Sequence, residues 1–401
     1  MWEQIRSNQI RSALLVGLLG ALLLLIGYFL GASFINNAIV GLIIALVVWA
    51  ILNLIAYFQG DSILLSIAGA KKITRDDHPR LYNIVEEMKI ASGLERMPDI
   101  YIIDDPGMNA FATGRSKDKT AVAVTSGLLQ HLNRDELQGV IGHEIAHIKN
   151  RDVLLMSMAG VLLGTIVILA WFGTRAMIFG GMGGRRSSRS SGGGGQAQAI
   201  ILIVALVLMI LAPIAAQLLY YAISRKREYL ADASSALYTR YPEGLASALE
   251  KLANSKTQLK AANQATAPMY TINPFRKKGR AASDLTSTHP PISERIRILR
   301  AMSGASMAEY EKSYQQIKHK GIIPASSLAG AGTMSLREPS AEKDTGSAER
   351  ARETSDLLLR MNKYRTVNCD CGTKLKVPPG FRESRVMCPH CGRVYDIKQP
   401  G

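Results

Sequence analysis

The stretch GVIGHEIAHIKN at residues 139–150 sets two histidines four positions apart, with a glutamate directly after the first. On a helix, positions i and i+4 share one face a turn apart. His143 and His147 can therefore turn both rings toward a single metal ion. Glu144 lies about 100° around the helix from His143, poorly placed as an equivalent third ligand and well placed to reach a water on that metal. This is the H-E-x-x-H spacing of zinc-dependent hydrolases. A second set of metal-type residues closes the chain: Cys369-x-Cys371 and Cys388-x-x-Cys391 hold all four cysteines.

A catalytic zinc needs a third protein ligand and one open position. One class of such sites puts a third histidine six residues after the second; Val153 stands there. Asp152 is a nearby carboxylate, but it also suits a helix end at the mouth of an apolar run. The segment SRKREYLADASSALY offers Glu228 and Asp232, again at i and i+4. One carboxylate of such a pair can bind the metal while the other hydrogen-bonds the free N–H of a ligand histidine. The competing reading is a solvated acidic face beside Arg225, Lys226 and Arg227.

These residues need elements to hold them. Asn133 followed by Glu136 predicts a capped helix start, and Leu137, Val140, Ile141, Ile145 and Ile148 form its apolar stripe. Upstream, HPRLYNIVEEMKIASGL has helical spacing and stops at Gly93. PDIYIID, PGMNAFATG and TAVAVTSGLL read as short strands leading into a helix at Ser126. The expectation is a small sheet beside the histidine helix, with an edge strand able to hold an extended peptide by main-chain hydrogen bonds.

The chain of 401 residues also carries four apolar runs: Ser12–Gly31, Ala38–Phe58, Val153–Phe172 and Ala199–Ile223. The first two are each long enough to span a bilayer. The second pair contains Ser157, Thr165, Pro213 and Gln217, so a buried hairpin is its alternative. Arg6 and Arg11, then Lys71, Lys72 and Arg75, then Arg225–Arg227 flank the runs and predict a cytoplasmic N-terminus, middle region and C-terminus. The Gly/Ser/Arg-rich loop at 174–196 dissents, holding Arg175, Arg185, Arg186 and Arg189. A net charge of +16 invites a nucleic-acid reading, but positive-inside flanks and anionic lipid account for it, and no stacking aromatics are interleaved with the basic residues.

Residues 321–360 are rich in Ala, Ser, Gly and charge and read as a flexible linker with a short helix near its end. Residues 361–401 are too few for a self-sufficient hydrophobic core. A structural zinc held by Cys369, Cys371, Cys388 and Cys391 is the expected staple, and a cytoplasmic setting disfavours disulfides.

Taken in order, GLLQHLNRDELQGVIGHEIAHIKNRDV, a pair of apolar runs, SRKREYLADASSA and STHPPISERI, together with NAFATG at 109–114, resemble the HtpX-like membrane zinc metallopeptidases. These are relatives of the CAAX prenyl endopeptidases and of the mitochondrial Oma-type proteases. The resemblance covers roughly residues 1–300. It implies an α-helical membrane protein with an α+β zincin-type (gluzincin) metalloprotease domain, to which the chain adds the small C-terminal zinc ribbon. It implies zinc ligands His143, His147 and Glu228, the base Glu144, and Asp232 behind a ligand. It also implies a substrate-aligning strand at Asn109, Ala110, Phe111 and Ala112, and His289 facing the site. A bacterial inner-membrane setting, a cytoplasmic site and turnover of damaged membrane proteins follow from the same resemblance.

The expected organisation is two transmembrane helices over 1–60 and a metallopeptidase domain over 61–320. The latter is interrupted by helices at 153–172 and 199–223; the linker and the ribbon follow. Expected cofactors are one catalytic and one structural Zn²⁺. Expected partners are membrane-protein or polypeptide substrates, the bilayer, and a protein that meets the ribbon. The other reading is a catalytically inactive membrane-tethered adaptor; retention of Glu144 beside both histidines favours the enzyme.

Overall fold

The computed structural model describes residues 2–116, 118–183, 195–260, 270–272, 289–328, 332–341, 346–381 and 383–397. Helix α1 (Trp2–Leu30) passes through a short π-helical turn, Gly31–Ile35, into α2 (Ala38–Ile67). The side chain of Asn37 caps α2 by accepting from the N–H groups of Ile39 and Val40. Later come α6 (Asp152–Gly183) and the long α7 (Gly195–Thr239). Among the described residues these four helices are long and apolar enough to cross a membrane. Of the dissenting Gly/Ser/Arg-rich stretch expected as a loop at 174–196, residues 174–183 instead continue α6 and 195–196 begin α7, while 184–194 lie outside the described residues.

Helices α1, α6 and α7 share an inner seam of Leu15, Leu19, Leu23, Ala159, Leu162, Ile166, Ala212, Ala216 and Tyr220, against which Trp49 of α2 packs. The outer faces of the bundle expose Ile43, Leu54, Phe172, Ile210 and Ile214. Large apolar side chains facing outward on several sides suit lipid rather than water.

Between the helix pairs stands a sheet of β1 (Ala70–Ile73), β2 (Asp99–Ile103), β3 (Ala110–Ser116) and β4 (Lys119–Thr125), in the order β1-β2-β4-β3. Only the β2–β4 pair is parallel. Helix α3 (Pro79–Ser92) makes the crossover region between β1 and β2. It starts at His78, whose Nδ1 accepts from the Leu81 N–H at 3.1 Å, and stops at Gly93 with φ +66°. That left-handed geometry costs glycine little.

Helix α4 (Ser126–His131) leads into α5 (Arg134–Lys149), which bears the two histidines. Asn133 and Glu136 form the expected capping box. The expected stripe of Leu137, Val140, Ile141, Ile145 and Ile148 is buried in the main core with Leu81, Ile84 and Val85 of α3 and Val122 and Val124 of β4. Helix α8 (Pro242–Asn254) crosses α5 at Gly139. A Cβ there would stand 2.6 Å from the Leu245 nitrogen, so only glycine permits this approach.

Helices α9 (Ile292–Arg300), α10 (Met307–Lys318) and α11 (Ala325–Leu328) complete this part. Beyond it, the stretch read as a linker makes ordered contacts. Arg337 donates to the Thr239 carbonyl at the end of α7 (2.9 Å). It also donates to Asp135 (2.7 Å) and Gln138 (2.8 Å) at the start of α5. Helix α12 (Ser347–Met361) lies against α4, with Leu357 in the main core, Arg350 donating to the Gln130 carbonyl and Arg360 to that of Asp77. Two hairpins follow: β5 (Arg365–Asn368) with β6 (Lys374–Val377), and β7 (Arg385–Met387) with β8 (Val394–Asp396).

Candidate active site

Helix α5 turns His143, Glu144 and His147 into the core, toward α7. The two helices are locked together at Ser235, whose hydroxyl donates to the Gly139 carbonyl at 2.7 Å. One to two turns earlier on α7 stand Asp232 and Glu228. The Nε2 atoms of His143 and His147 are 3.2 Å apart. Oε2 of Glu228 is 3.6 Å from Nε2 of His143, and Oε1 is 3.4 Å from Nε2 of His147. A tetrahedral zinc with bonds of about 2.0–2.1 Å keeps its ligand atoms about 3.3–3.4 Å apart. The three side chains therefore fit zinc as a ligand face. Oε2 of Glu228 is also buried with no hydrogen bond, its nearest cation being Nη1 of Arg295 at 3.3 Å.

Each ligand ring is held from behind. Nδ1 of His143 meets Oδ1 of Asp232 at 2.9 Å, and Nδ1 of His147 faces Oδ2 of Asp152 at 3.4 Å. A carboxylate at Nδ1 fixes the tautomer that presents Nε2 to a metal. Asp152, weighed in the sequence as a rival ligand or a helix-end group, thus stands behind a ligand. Its main-chain carbonyl accepts from Arg227 at 2.9 Å. Burial lowers the basicity of His147, but hydrogen bonds to Asp152 and Glu228 outweigh it and push the pKa up to about 10. His143 is likewise raised despite burial, by Asp232 and Glu228. The site is strongly cation-seeking.

Arg295, which sequence reasoning did not single out, organises the rear of the site. It is fully buried and grips both oxygens of Asp232, through Nε at 2.8 Å and Nη2 at 2.7 Å. Its Nη1 lies 3.3 Å from Oε2 of Glu228 and donates to the Thr271 carbonyl at 3.2 Å. A sequence signal existed. Arg295, Ile298 and Leu299 are the buried face of α9 at i, i+3 and i+4, so a charged residue occupies an apolar stripe.

His289 is buried, with Nε2 2.6 Å from the Tyr270 carbonyl and 3.9 Å from Oε2 of Glu228. Burial lowers its pKa more than Glu228 raises it. Ala110, Phe111 and Ala112 open the edge strand β3, and Asn109 stands immediately before it. Two of them are engaged by the chain itself. The Asn109 amide exchanges hydrogen bonds with Ile272 (2.8 and 3.3 Å), and the Ala110 carbonyl accepts from the Thr271 N–H at 2.9 Å. Glu144 is buried, with Oε1 2.6 Å from the Thr271 hydroxyl.

The cysteines form a second cluster. Sγ of Cys369 is 3.2 Å from that of Cys371 and 3.3 Å from that of Cys391, and Cys371 is 3.7 Å from Cys388. Four thiolates around one zinc at about 2.3 Å stand about 3.8 Å apart, so this compact group fits one ion. None of the four is in a disulfide.

An H-E-x-x-H helix, a distant glutamate completing the ligand face, and membrane-length helices on both sides of that glutamate's partner define a membrane zinc endopeptidase. The model of peptidase family M48 matches residues 76–303, and the chain belongs to that family. It is 46% identical over 301 residues to the protease HtpX homolog of Dictyoglomus turgidum, covering 75% of this chain and 94% of that one. The HtpX homolog of Lactobacillus helveticus is 42% identical over 302 residues, covering 75% and 100%. Among solved structures, S. mikatae Ste24p matches with a TM-score of 0.43 and 20% identity, over 75% of this chain and 67% of that one.

Proposed function

We propose that this zinc endopeptidase faces the cytoplasm from a bacterial inner membrane and removes damaged or misfolded membrane proteins. The observation that supports this most is where the ligands lie. α5 runs directly into α6, and Glu228 belongs to α7, so the ligand face sits where two membrane-length helices meet the small sheet. Both ends of the α6–α7 pair must share one side, because His143 and Glu228 meet there. Lys71, Lys72 and Arg75 after α2 and Arg225–Arg227 in α7 favour the cytoplasm as that side.

His143, His147 and Glu228 would hold the catalytic ion. When bound, zinc supplies Lewis acidity toward a water and toward the scissile carbonyl. Asp232 and Asp152 hold Nδ1 of the two imidazoles and keep Nε2 aimed at the ion. Glu144 accepts the proton of the attacking water and delivers it to the leaving nitrogen. His289 lies beside the ligand cluster; its Nε2–H, which donates to the Tyr270 carbonyl, would have to turn from that carbonyl to steady the developing oxyanion. An extended substrate would pair with β3. The outward carbonyl of Ala110 already accepts from Thr271 and its N–H donates to Oδ1 of Asn109, and by strand alternation the outward groups of Ala112 point the same way. Ala112 is thus the residue offered to substrate. The cysteine cluster would hold a second, structural zinc, on a ribbon that recognises a substrate or partner.

The test uses the full chain in detergent or in proteoliposomes, with an unfolded membrane-protein fragment as substrate. Glu144→Gln should retain zinc and lose cleavage. In cells, Asp118→Cys, at an exposed turn beside β4, should label only from the cytoplasmic side. Proteolysis by Glu144→Gln at the wild-type rate would refute the mechanism, and labelling of Asp118→Cys from outside would refute the orientation.

A further inference from the structure

We propose that Thr271 is a positioning residue for the general base: its hydroxyl holds one oxygen of Glu144 and leaves the other for the proton of the attacking water. The inference rests on the proteolytic reading above.

The Thr271 side chain is buried. Its Oγ1 lies 2.6 Å from Oε1 of Glu144 and 3.0 Å from the Ala110 carbonyl oxygen. One O–H proton therefore has two acceptors. While Glu144 is ionised, the shorter and charged acceptor takes it, since hydrogen bonds to a carboxylate run about 2.5–2.7 Å and are roughly twice as strong as neutral ones. The Ala110 carbonyl is not left unserved, because the Thr271 N–H also donates to it at 2.9 Å. Once Glu144 has taken the water's proton on its free oxygen, the carboxyl is neutral. The Thr271 hydroxyl can then turn to Ala110 without either residue moving. When Glu144 passes its proton to the leaving nitrogen, the hydroxyl turns back. The threonine proton is never transferred.

The backbone of Thr271 is pinned to the same frame as the metal ligands. Its N–H bonds β3, and its carbonyl accepts from Arg295, which holds Asp232 and through it His143. Its neighbour Tyr270 anchors the segment, stacking edge-on against Phe111 with ring centroids 5.3 Å apart. The base and the ligand histidine are thereby referred to one rigid set of contacts, as a site accurate to fractions of an ångström requires.

The experiment compares Thr271→Val, which keeps the shape and removes the hydroxyl, with Thr271→Ser, which keeps the hydroxyl. Both are made in the full-length zinc-loaded protein. Cleavage of a peptide is resolved into kcat and KM, zinc content is measured, and binding of a peptide hydroxamate, which must hand a proton to the base, is titrated. For Thr271→Val we expect kcat about 10–100-fold lower, as for other groups that orient a catalytic residue. KM should stay within about twofold, zinc content unchanged, and the hydroxamate should bind at least about tenfold more weakly. Thr271→Ser should return kcat and hydroxamate affinity to near wild type. Wild-type kcat in Thr271→Val, loss of zinc from it, or an equal defect in Thr271→Ser would each overturn the inference. If Glu144→Gln is inactive while Thr271→Val is not, only this inference falls; if Glu144→Gln is active, the proteolytic mechanism falls instead.

Discussion

Oδ2 of Asp152 lies 3.4 Å from Nδ1 of His147, matching in kind the 2.9 Å contact of Asp232 with Nδ1 of His143. Each histidine of the ligand face thus has its own carboxylate, one supplied by the first residue of α6 and the other by α7. Removing such a partner usually costs about 10–100-fold in metal affinity. Asp152→Ala should weaken zinc by that factor while still binding one ion at saturation in the protease domain, as read by competition with a chelator. Complete loss of that ion at saturating zinc would make Asp152 a ligand.

Arg295 sits at the opposite extreme from a surface ion pair, because it and Asp232 have no solvent exposure. Leaving a buried charge without its partner costs about 3–5 kcal/mol. Arg295→Met should destabilise the domain on that scale in chemical unfolding of the solubilised protein. Arg295→Met combined with Asp232→Asn should recover part of the loss. A single variant as stable as wild type would mean that Asp232 is not charged in the folded protein.

His78 caps α3 in its neutral form, and burial, aided by Arg80, lowers its pKa to about 4 from 6.5. The folded value lies below the unfolded one, so the unfolded chain binds more protons between them. The contribution is complete above about pH 6.5 and is lost as pH falls through 4, amounting to about 3 kcal/mol at most. His78→Asn, which keeps a cap acceptor, should flatten the pH dependence of stability over this window. An unchanged slope in His78→Asn would assign the acid sensitivity to other groups.

The ribbon should act as a separate metal unit. The full chain is expected to hold two zinc ions. Cys388→Ser should lose one and unfold β5–β8, while cleavage of a short peptide by the membrane domain continues at the wild-type rate. A single zinc in the intact chain, with the thiols free, would remove the ribbon's metal.

Much of the site was legible because its chemistry is carried by local spacing. Asn133 and Glu136, the α5 stripe, and His143-Glu144 with His147 each announce a helix face from residues within one or two turns, whereas the Glu228/Asp232 pair, beside Arg225–Arg227, reads locally as a solvated acidic face and stood out only through the family resemblance. Arg295 and Thr271 were not legible in this way. Arg295 meets Asp232 across 63 positions and Thr271 meets Glu144 across 127, so only tertiary packing pairs them. The tail misled for another reason. The buried face of α12 is Arg350, Thr354 and Leu357, a helical stripe hidden by two polar members. Its composition therefore reads as linker although Arg350 and Arg337 bind the protease domain.

The ligand set is split around the α6–α7 pair. His143 and His147 are made first, Asp152 opens the next helix, and Glu228 follows only after most of α7. Roughly 80 residues separate the last histidine from the glutamate, and at about 5–20 residues per second their synthesis takes on the order of seconds. During that interval the ribosome-bound chain has a base and two imidazoles but no third ligand. Peptide-cutting ability is therefore withheld during biogenesis until the later hydrophobic pair has been threaded and brought back. An unfinished or misinserted copy is born harmless to its neighbours.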